Sequence, residues 1–144
     1  MDFTRRTALA LLPALVAAAG VPLFAQDDSL PSATFPFESL PVENSGQAEL
    51  RHILKGRLAT GEHIEAHETT LPPNGAPHPP HHHIHSEMWL IREGTVELTI
   101  NGKTHRLGPG GLGFVHSNEE HGIKNVGTSP ATYYVIAIGP GADN

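Results

Sequence analysis

The residues with the greatest capacity for chemistry lie in one short stretch of the chain. Ten consecutive positions hold five histidines and one glutamate: His78, His81, His82, His83, His85 and Glu87. Imidazole and carboxylate groups at this density cannot all be buried as neutral core. They are either solvated or they hold a metal, and neutral imidazoles with one carboxylate suit Mn, Fe, Co, Ni, Cu or Zn.

The spacing within this stretch separates its side chains into two sets. His81 and His83 are two residues apart, so on an extended backbone both point to the same face. Glu87 has the same parity and lies just before or inside the next predicted strand. His82 has the opposite parity, and we expect it to face solvent, as we do His78.

Two glycines frame the stretch at intervals that match a known motif. Gly75 lies six positions before His81, and Gly94 lies seven positions after Glu87. The pattern G-x5-H-x-H-x3-E-x6-G matches the first signature of the cupin family without a gap. The chain therefore resembles a single-domain cupin.

A later stretch resembles the second cupin signature, G-x5-P-x-G-x2-H-x3-N. Gly110, His121 and Asn125 occupy its Gly, His and Asn positions. His116 stands at the proline position and Asn118 at the internal glycine position. The change at Asn118 is mild, because asparagine tolerates the left-handed backbone that glycine supplies.

The resemblance, which covers roughly residues 69–138, implies a metal site. The ligands that it implies are His81, His83, Glu87 and His121. The implied cofactor is one divalent transition metal, either Fe, Mn, Ni, Cu or Zn. Three imidazoles and one carboxylate leave one or two octahedral positions open to water, dioxygen or a bidentate substrate.

Two residues are candidates for a catalytic role, Glu87 and His116. The carboxylate of Glu87 can leave the metal and act as a base, as in some cupin dioxygenases. For His116 two interpretations are open. Either it is a surface residue of a polar turn, or it points to the cavity mouth, where it bonds a substrate oxygen or a metal-bound water and transfers protons.

Four other polar residues are left undecided by the spacing. His63, Glu65 and His67 share one face of a predicted strand, and parity alone does not say whether that face is solvent or cavity. His85 shares the parity of Glu87, but the family pattern skips it. It either lines the cavity mouth, supports a ligand or has no role.

From residue 48 onward the sequence predicts short strands separated by turns. The predicted strands are 49–57, 62–71, 87–92, 95–100, 103–107, 112–115, 121–126 and 132–138, and Asn101-Gly102 predicts a type I′ hairpin. Eight or nine strands with 15 Gly and 13 Pro favour an all-β barrel or jelly roll. The resemblance makes it the double-stranded β-helix of cupins, over residues 47–144.

The first segment, 1–25, has the features of an export signal. Arg5 and Arg6 precede an apolar run over residues 8–20 that is too short to span a membrane. The arginine pair resembles a twin-arginine signal, with a Sec signal and an uncleaved amphipathic anchor as alternatives. We expect a bacterial protein exported to the periplasm or beyond, with no stable membrane span in its mature form.

The second segment, 26–46, is polar and rich in proline, and we interpret it as a linker. The simplest interpretation is a spacer. The alternative is an arm that lays Phe35, Phe37 and Leu40 against the domain or against a partner chain. Because these rings need somewhere to be buried, and single-domain cupins often pair, we expect a homodimer with the arm contributing.

Charge and composition narrow the functional classes. The formal net charge of −6 argues against nucleic acid and anionic membranes as partners, and the absence of cysteine excludes disulfides and thiolate metal sites. Two classes remain, both with small-molecule partners. One is an exported metal-dependent enzyme, a dioxygenase or another oxidoreductase, or an isomerase. The other is a non-catalytic module that binds a sugar, a small acid or a metal.

Overall fold

The computed structural model describes residues 28–142, so the predicted export signal at 1–25 lies outside the described residues. It contains nine strands: β1 (Glu43–Ser45), β2 (Ala48–Arg57), β3 (His63–Leu71), β4 (Ser86–Glu93), β5 (Val96–Ile100), β6 (Lys103–Leu107), β7 (Leu112–Val115), β8 (His121–Asn125) and β9 (Ala131–Ile138). Its one helical element among residues 28–142 is the 3-10 turn Phe37–Ser39. No helix in that range is both long and apolar enough to cross a membrane.

The strands form two antiparallel sheets that enclose the core. One sheet has six strands in the order β1-β2-β3-β9-β4-β7, and the other has three in the order β6-β5-β8. Some neighbours in the larger sheet are distant in sequence, as β3 beside β9 and β9 beside β4. The predicted all-β, double-stranded β-helix is confirmed.

The strand boundaries follow the alternation and the turn residues of the sequence. Each predicted strand ends within one residue of its observed end, and β6 and β7 have the predicted bounds. At the predicted hairpin, Asn101 has a φ of 47° and Gly102 a φ of 75°. Both central residues therefore have the left-handed backbone that a type I′ turn requires.

The segment predicted as a linker already contributes to the larger sheet. Its residues in β1 pair with β2 at the sheet edge. The ring of Phe37 lies 4.6 Å from the guanidinium of Arg51 and 4.7 Å from that of Arg92. The end of this segment thus packs against its own domain, as in the arm alternative, instead of serving only as a spacer.

The core lies between the two sheets. Its largest fully buried side chains include Leu71, Ile91, Val96, Leu98, Val115 and Tyr133. Removing each aliphatic side chain from water stabilises the fold by roughly 1.5–3 kcal/mol. This apolar interior gives the strands fixed positions at the end of the barrel where the histidines lie.

Asn125 connects the two sequence motifs through the core. Its side-chain amide is fully buried and donates to the carbonyls of Leu71, Pro72 and Ser129. Its backbone N–H donates to the carbonyl of Gly75 at 2.9 Å. An apolar residue here would leave buried carbonyls without donors, which explains why the position requires an amide.

Candidate metal centre

His81 and His121 are placed side by side by a pair of backbone hydrogen bonds. The N–H of His81 donates to the carbonyl of His121 at 3.0 Å, and the reverse bond is 2.8 Å. This bridge lies outside the regular strands and joins the loop before β4 to the start of β8. The two rings are consequently 4.6 Å apart between centroids.

His83 is held by the turn that precedes β8. The backbone N–H of Asn118 donates to the carbonyl of His83 at 2.8 Å, and Ser117 Oγ donates to the carbonyl of Ile84 at 2.6 Å. Asn118 has a φ of 63°, so it adopts the left-handed backbone expected at this position. The turn of the second motif thereby orients the loop of the first.

The structure brings the four predicted metal ligands together. The rings of His81, His83 and His121 lie within 5.2 Å of one another between centroids. One ligand nitrogen from each of the three lies within 4.8 Å of the other two. Nε2 of His83 is 3.0 Å from Oε2 of Glu87, and Nε2 of His121 is 3.1 Å from the same oxygen.

Backbone carbonyls fix the orientation of two of the imidazoles. Nδ1 of His83 is 3.0 Å from the carbonyl oxygen of His85, and Nδ1 of His121 is 2.9 Å from that of Glu119. Since a carbonyl only accepts, each Nδ1 carries the proton, and Nε2 faces the shared oxygen of Glu87. Two nitrogen lone pairs and a carboxylate oxygen can converge only around positive charge, either ring protons or a metal cation.

The third imidazole also fits a cation. Nδ1 of His81 is buried and has no hydrogen-bond partner within residues 28–142. Burial, followed by the neighbouring rings of His78, His121 and His83, lowers the pKa of His81 to about 4. The ring is therefore neutral near pH 7 and has a free lone pair. Neutral imidazoles and one carboxylate match the donor set of a divalent transition metal.

The mutual contacts of Glu87 and His121 favour the charged form of each side chain. Burial raises the pKa of Glu87, but the hydrogen bonds from His121 and His83 outweigh it, so the net pKa lies below the ordinary value. Burial lowers the pKa of His121, yet its bonds to Glu87 and to the carbonyl of Glu119 raise the net pKa. Glu87 is thus a carboxylate at neutral pH, as a ligand must be.

The cluster borders a cavity of about 220 Å³ inside the barrel. Its wall includes His81, Glu87, His121, Trp89, Tyr133 and Val135. The Trp89 ring is 5.3 Å from that of His121 and is 3% exposed, as expected for a wall residue. A second concavity, of about 340 Å³, is also lined by His81 and Glu87.

His116 is not brought to this cluster. It is exposed, and its Nδ1 bonds the carbonyl of Ser117 at 3.0 Å. None of its contacts within residues 28–142 joins it to the four clustered side chains, and neither cavity wall includes it. The cavity-mouth interpretation of His116 therefore has no support from the geometry.

The remaining histidines of the first motif surround the cluster. His82 is exposed, as its parity predicts. His78 is exposed too, but its ring meets that of His81 edge-on at 4.2 Å. His85 stacks on His83 with centroids 3.5 Å apart, and His83, His85 and Glu87 form a second, overlapping set of closely spaced ligand atoms.

Sequence reasoning left one part of the cavity undecided, the face of β3 that carries Glu65 and His67. Both residues face the same concavity as His81 and Glu87. A signal for this was present, because His67 and Leu71 share parity and an apolar Leu71 at the strand end marks the inner face.

Comparisons with known proteins agree with this architecture. Residues 67–137 match the family model of the cupin domain. A mannose-1-phosphate guanylyltransferase of Klebsiella pneumoniae is 34% identical over 70 residues, which are 49% of this chain but only 15% of that protein. The chain therefore spans less than a sixth of the length of this relative.

Solved structures share the fold at low sequence identity. An RmlC-like cupin from Shewanella frigidimarina has a TM-score of 0.64 and 18% identity, covering 78% of this chain and 96% of its own. A predicted oxalate decarboxylase from Thermotoga maritima has a TM-score of 0.63 and 23% identity, covering 74% and 99%. At these identities the likeness shows the fold.

Proposed function

We propose that this protein is a metal-dependent enzyme of the oxygenase type that acts on a small molecule. The domain match and the structural neighbours support the cupin superfamily. His81, His83, Glu87 and His121 hold one divalent transition metal. The observation that carries the proposal is the convergence of Nε2 of His83 and Nε2 of His121 on one oxygen of Glu87.

The chemistry follows from what surrounds the ligands. A bound metal supplies Lewis acidity, a template for the substrate or a redox centre. Trp89 and Val135 line the adjoining cavity and exclude water, which strengthens the electrostatic effect of each polar group there. Glu87 can move off the cluster and accept a proton, because it is ionised and 14% exposed.

The first prediction is a stoichiometric metal site. Purified protein should bind about one divalent metal per chain, and His81→Ala or His121→Ala should weaken binding at least about tenfold. His82→Ala is the matched control, since this neighbour of His81 is exposed and has the opposite strand parity. Metal analysis and competition titration measure both. An equal loss in the His82 variant would show that the ligand set is wrong.

A non-catalytic cupin that binds a sugar, a small acid or a metal is the second candidate. It is favoured by the lack of a second carboxylate among the four clustered side chains. Oxygen uptake by the iron-loaded protein with a panel of phenols and diketones separates the two classes. Uptake that is lost in His121→Ala indicates an enzyme, whereas metal binding with no turnover of any panel compound favours the binding module.

Export belongs to the same proposal. The arginine pair and apolar run within 1–25 support export to the periplasm or beyond. Fractionation of a bacterial host that expresses the full chain tests it. Replacing Arg5 and Arg6 with lysine should retain the protein in the cytoplasm if the twin-arginine route is used.

A further inference from the structure

We infer that Glu65 and His67 form a second functional site in the cavity, beside the metal cluster. There the imidazole of His67 accepts a hydrogen bond from a hydroxyl group of the substrate and then accepts its proton. The proton transfer rests on the proposed enzymatic function, whereas the binding of a hydroxyl group at His67 does not. It assigns the substrate to small molecules that carry a phenolic or enolic O–H.

The side chains of Glu65 and His67 are joined by a hydrogen bond. Nδ1 of His67 lies 3.0 Å and 2.9 Å from the two carboxylate oxygens of Glu65. A carboxylate oxygen accepts, so Nδ1 carries the proton in this pair. With Nδ1 protonated, Nε2 of the neutral ring keeps its lone pair. This pairing of imidazole and carboxylate prepares a base and stabilises the imidazolium that forms.

The pair lies on the same face of the larger sheet as Glu87. The strand register places Glu65 opposite Ala137 and Ala137 opposite Glu87. The two carboxylates are therefore two strands apart on one face, about 10 Å between backbones. The small side chain of Ala137 lies between them and leaves the floor of the concavity open.

The inner cavity and the concavity share three wall residues. His67, His81 and Glu87 line both the 220 Å³ cavity and the 340 Å³ concavity. His67 is 21% exposed, so its ring is accessible to a ligand from that space. The inner cavity is smaller than the roughly 300–1,000 Å³ of pockets for drug-sized ligands, which suits a molecule of about one ring.

The lone pair on Nε2 of His67 decides which group the ring binds. Glu65 and Glu87 present carboxylates to the concavity, and Lys55 and His52 line it as well, so its net charge does not select the ligand. The free lone pair of Nε2 requires a donor, and a neutral hydroxyl supplies one. In the proton transfer the O–H bond breaks and an Nε2–H bond forms. The negative charge goes to the substrate oxygen and the positive charge to the imidazolium beside Glu65.

A single-ring probe tests the inference on the zinc-loaded full chain. 4-Nitrophenol changes its visible absorption when it ionises, and 4-nitroanisole is the same ring without the O–H. We expect the parent to prefer 4-nitrophenol about tenfold or more, in keeping with a hydrogen bond to a charged pair. The bound probe should also show more of the phenolate spectrum than the free probe at the same pH.

Two variants and one control complete the design. His67→Leu removes the acceptor and should abolish both the preference and the spectral shift. Glu65→Gln removes the charge that stabilises the imidazolium, while its amide oxygen can still accept from Nδ1–H, so the phenolate spectrum should diminish without loss of the ring. His105→Gln, an exposed histidine on β6, should behave as the parent. Circular dichroism confirms that each variant is folded.

The outcomes separate this inference from the proposed function. If His67→Leu binds the probe with the parental preference, if Glu65→Gln keeps the parental phenolate spectrum, or if the parent has no preference, the inference is overturned whatever the metal content. If the preference depends on His67 while the protein binds no metal, the inference stands and the metal-dependent function fails.

Discussion

The shared oxygen of Glu87 makes metal binding at this site a competition with protons. Its carboxylate raises the net pKa of His121, so the Nε2 proton persists to a pH above the ordinary imidazole value of about 6.5. A metal must displace that proton. Apparent zinc affinity should therefore still rise with pH above about 6.5 and level off only where His121 has lost its proton. Competition titrations from below to above this pH, with proton release measured by calorimetry, check the slope.

Glu87→Gln tests whether the carboxylate of Glu87 causes the raised pKa of His121. The amide keeps the shape of the side chain but removes the charge that raises the pKa of His121. Zinc affinity should fall at least about tenfold, because a metal ligand loses its charge, and the pH at which it levels off should move downward. An unchanged pH profile in this variant would mean that Glu87 does not control the protonation of His121.

At the scale of elements, the turn between β7 and β8 positions the loop that carries His81 and His83. Ser117→Ala removes the hydrogen bond to the carbonyl of Ile84, at a cost of about 1 kcal/mol of folding stability. Because this bond fixes the ligand loop, zinc affinity should fall several-fold as well. Denaturant unfolding and zinc competition measure the two effects. A loss of stability with parental zinc affinity would limit the turn to a structural role.

His116→Pro in the same turn is the comparison. Proline restores the residue of the cupin pattern and stiffens the backbone before β8. The imidazole of His116 is exposed and lies outside the cluster, so the variant should keep the fold and the parental zinc affinity. Turnover then decides its chemical role. A lower rate with full metal content would restore the cavity-mouth interpretation that the geometry does not support.

The elements and the ligand cluster were predictable for different reasons. Alternation and turn residues set the strands locally, so their ends were predictable within one residue. Parity placed His81 and His83 on one side of the chain. Their meeting with His121 depends on closure of the sheets, which spacing alone does not show, and it entered through the resemblance. The orientation of His67 also depends on closure, because parity defines a face without saying which face is inside.

Some motif positions acquire their physical reason only in the folded chain. Gly94 has a φ of 80°, and a Cβ there would lie 2.6 Å from Cα of Ala131. Any other residue at that turn would force β4 away from the start of β9. Phe37 is the opposite case, because nothing in its local sequence indicates that two arginines from β2 and β4 would lie against its ring.

For the whole molecule, the predicted homodimer stays a prediction, and the structure changes what the arm can contribute to it. The ring of Phe37 lies against Arg51 and Arg92 of its own chain but is still 36% exposed, and Phe35 is 41% exposed. Apolar side chains are also exposed on the outer face of β4 and β7, namely Leu90, Leu112 and Phe114. These side chains lie on neighbouring strands, since Leu90 pairs with Leu112.

Solution size measurements on two variants settle the arm's part in the dimer. We expect the full chain to be dimeric and a protein starting at Gln47 to dissociate at lower concentration, because it loses Phe35 and the edge strand β1. It should also lose about 1 kcal/mol or more of stability with the contacts of Phe37. Phe114→Glu is the comparison on the opposite sheet edge. A truncated protein that stays dimeric at unchanged stability removes the arm's role, and dissociation in Phe114→Glu alone would assign the contact to the β4–β7 face.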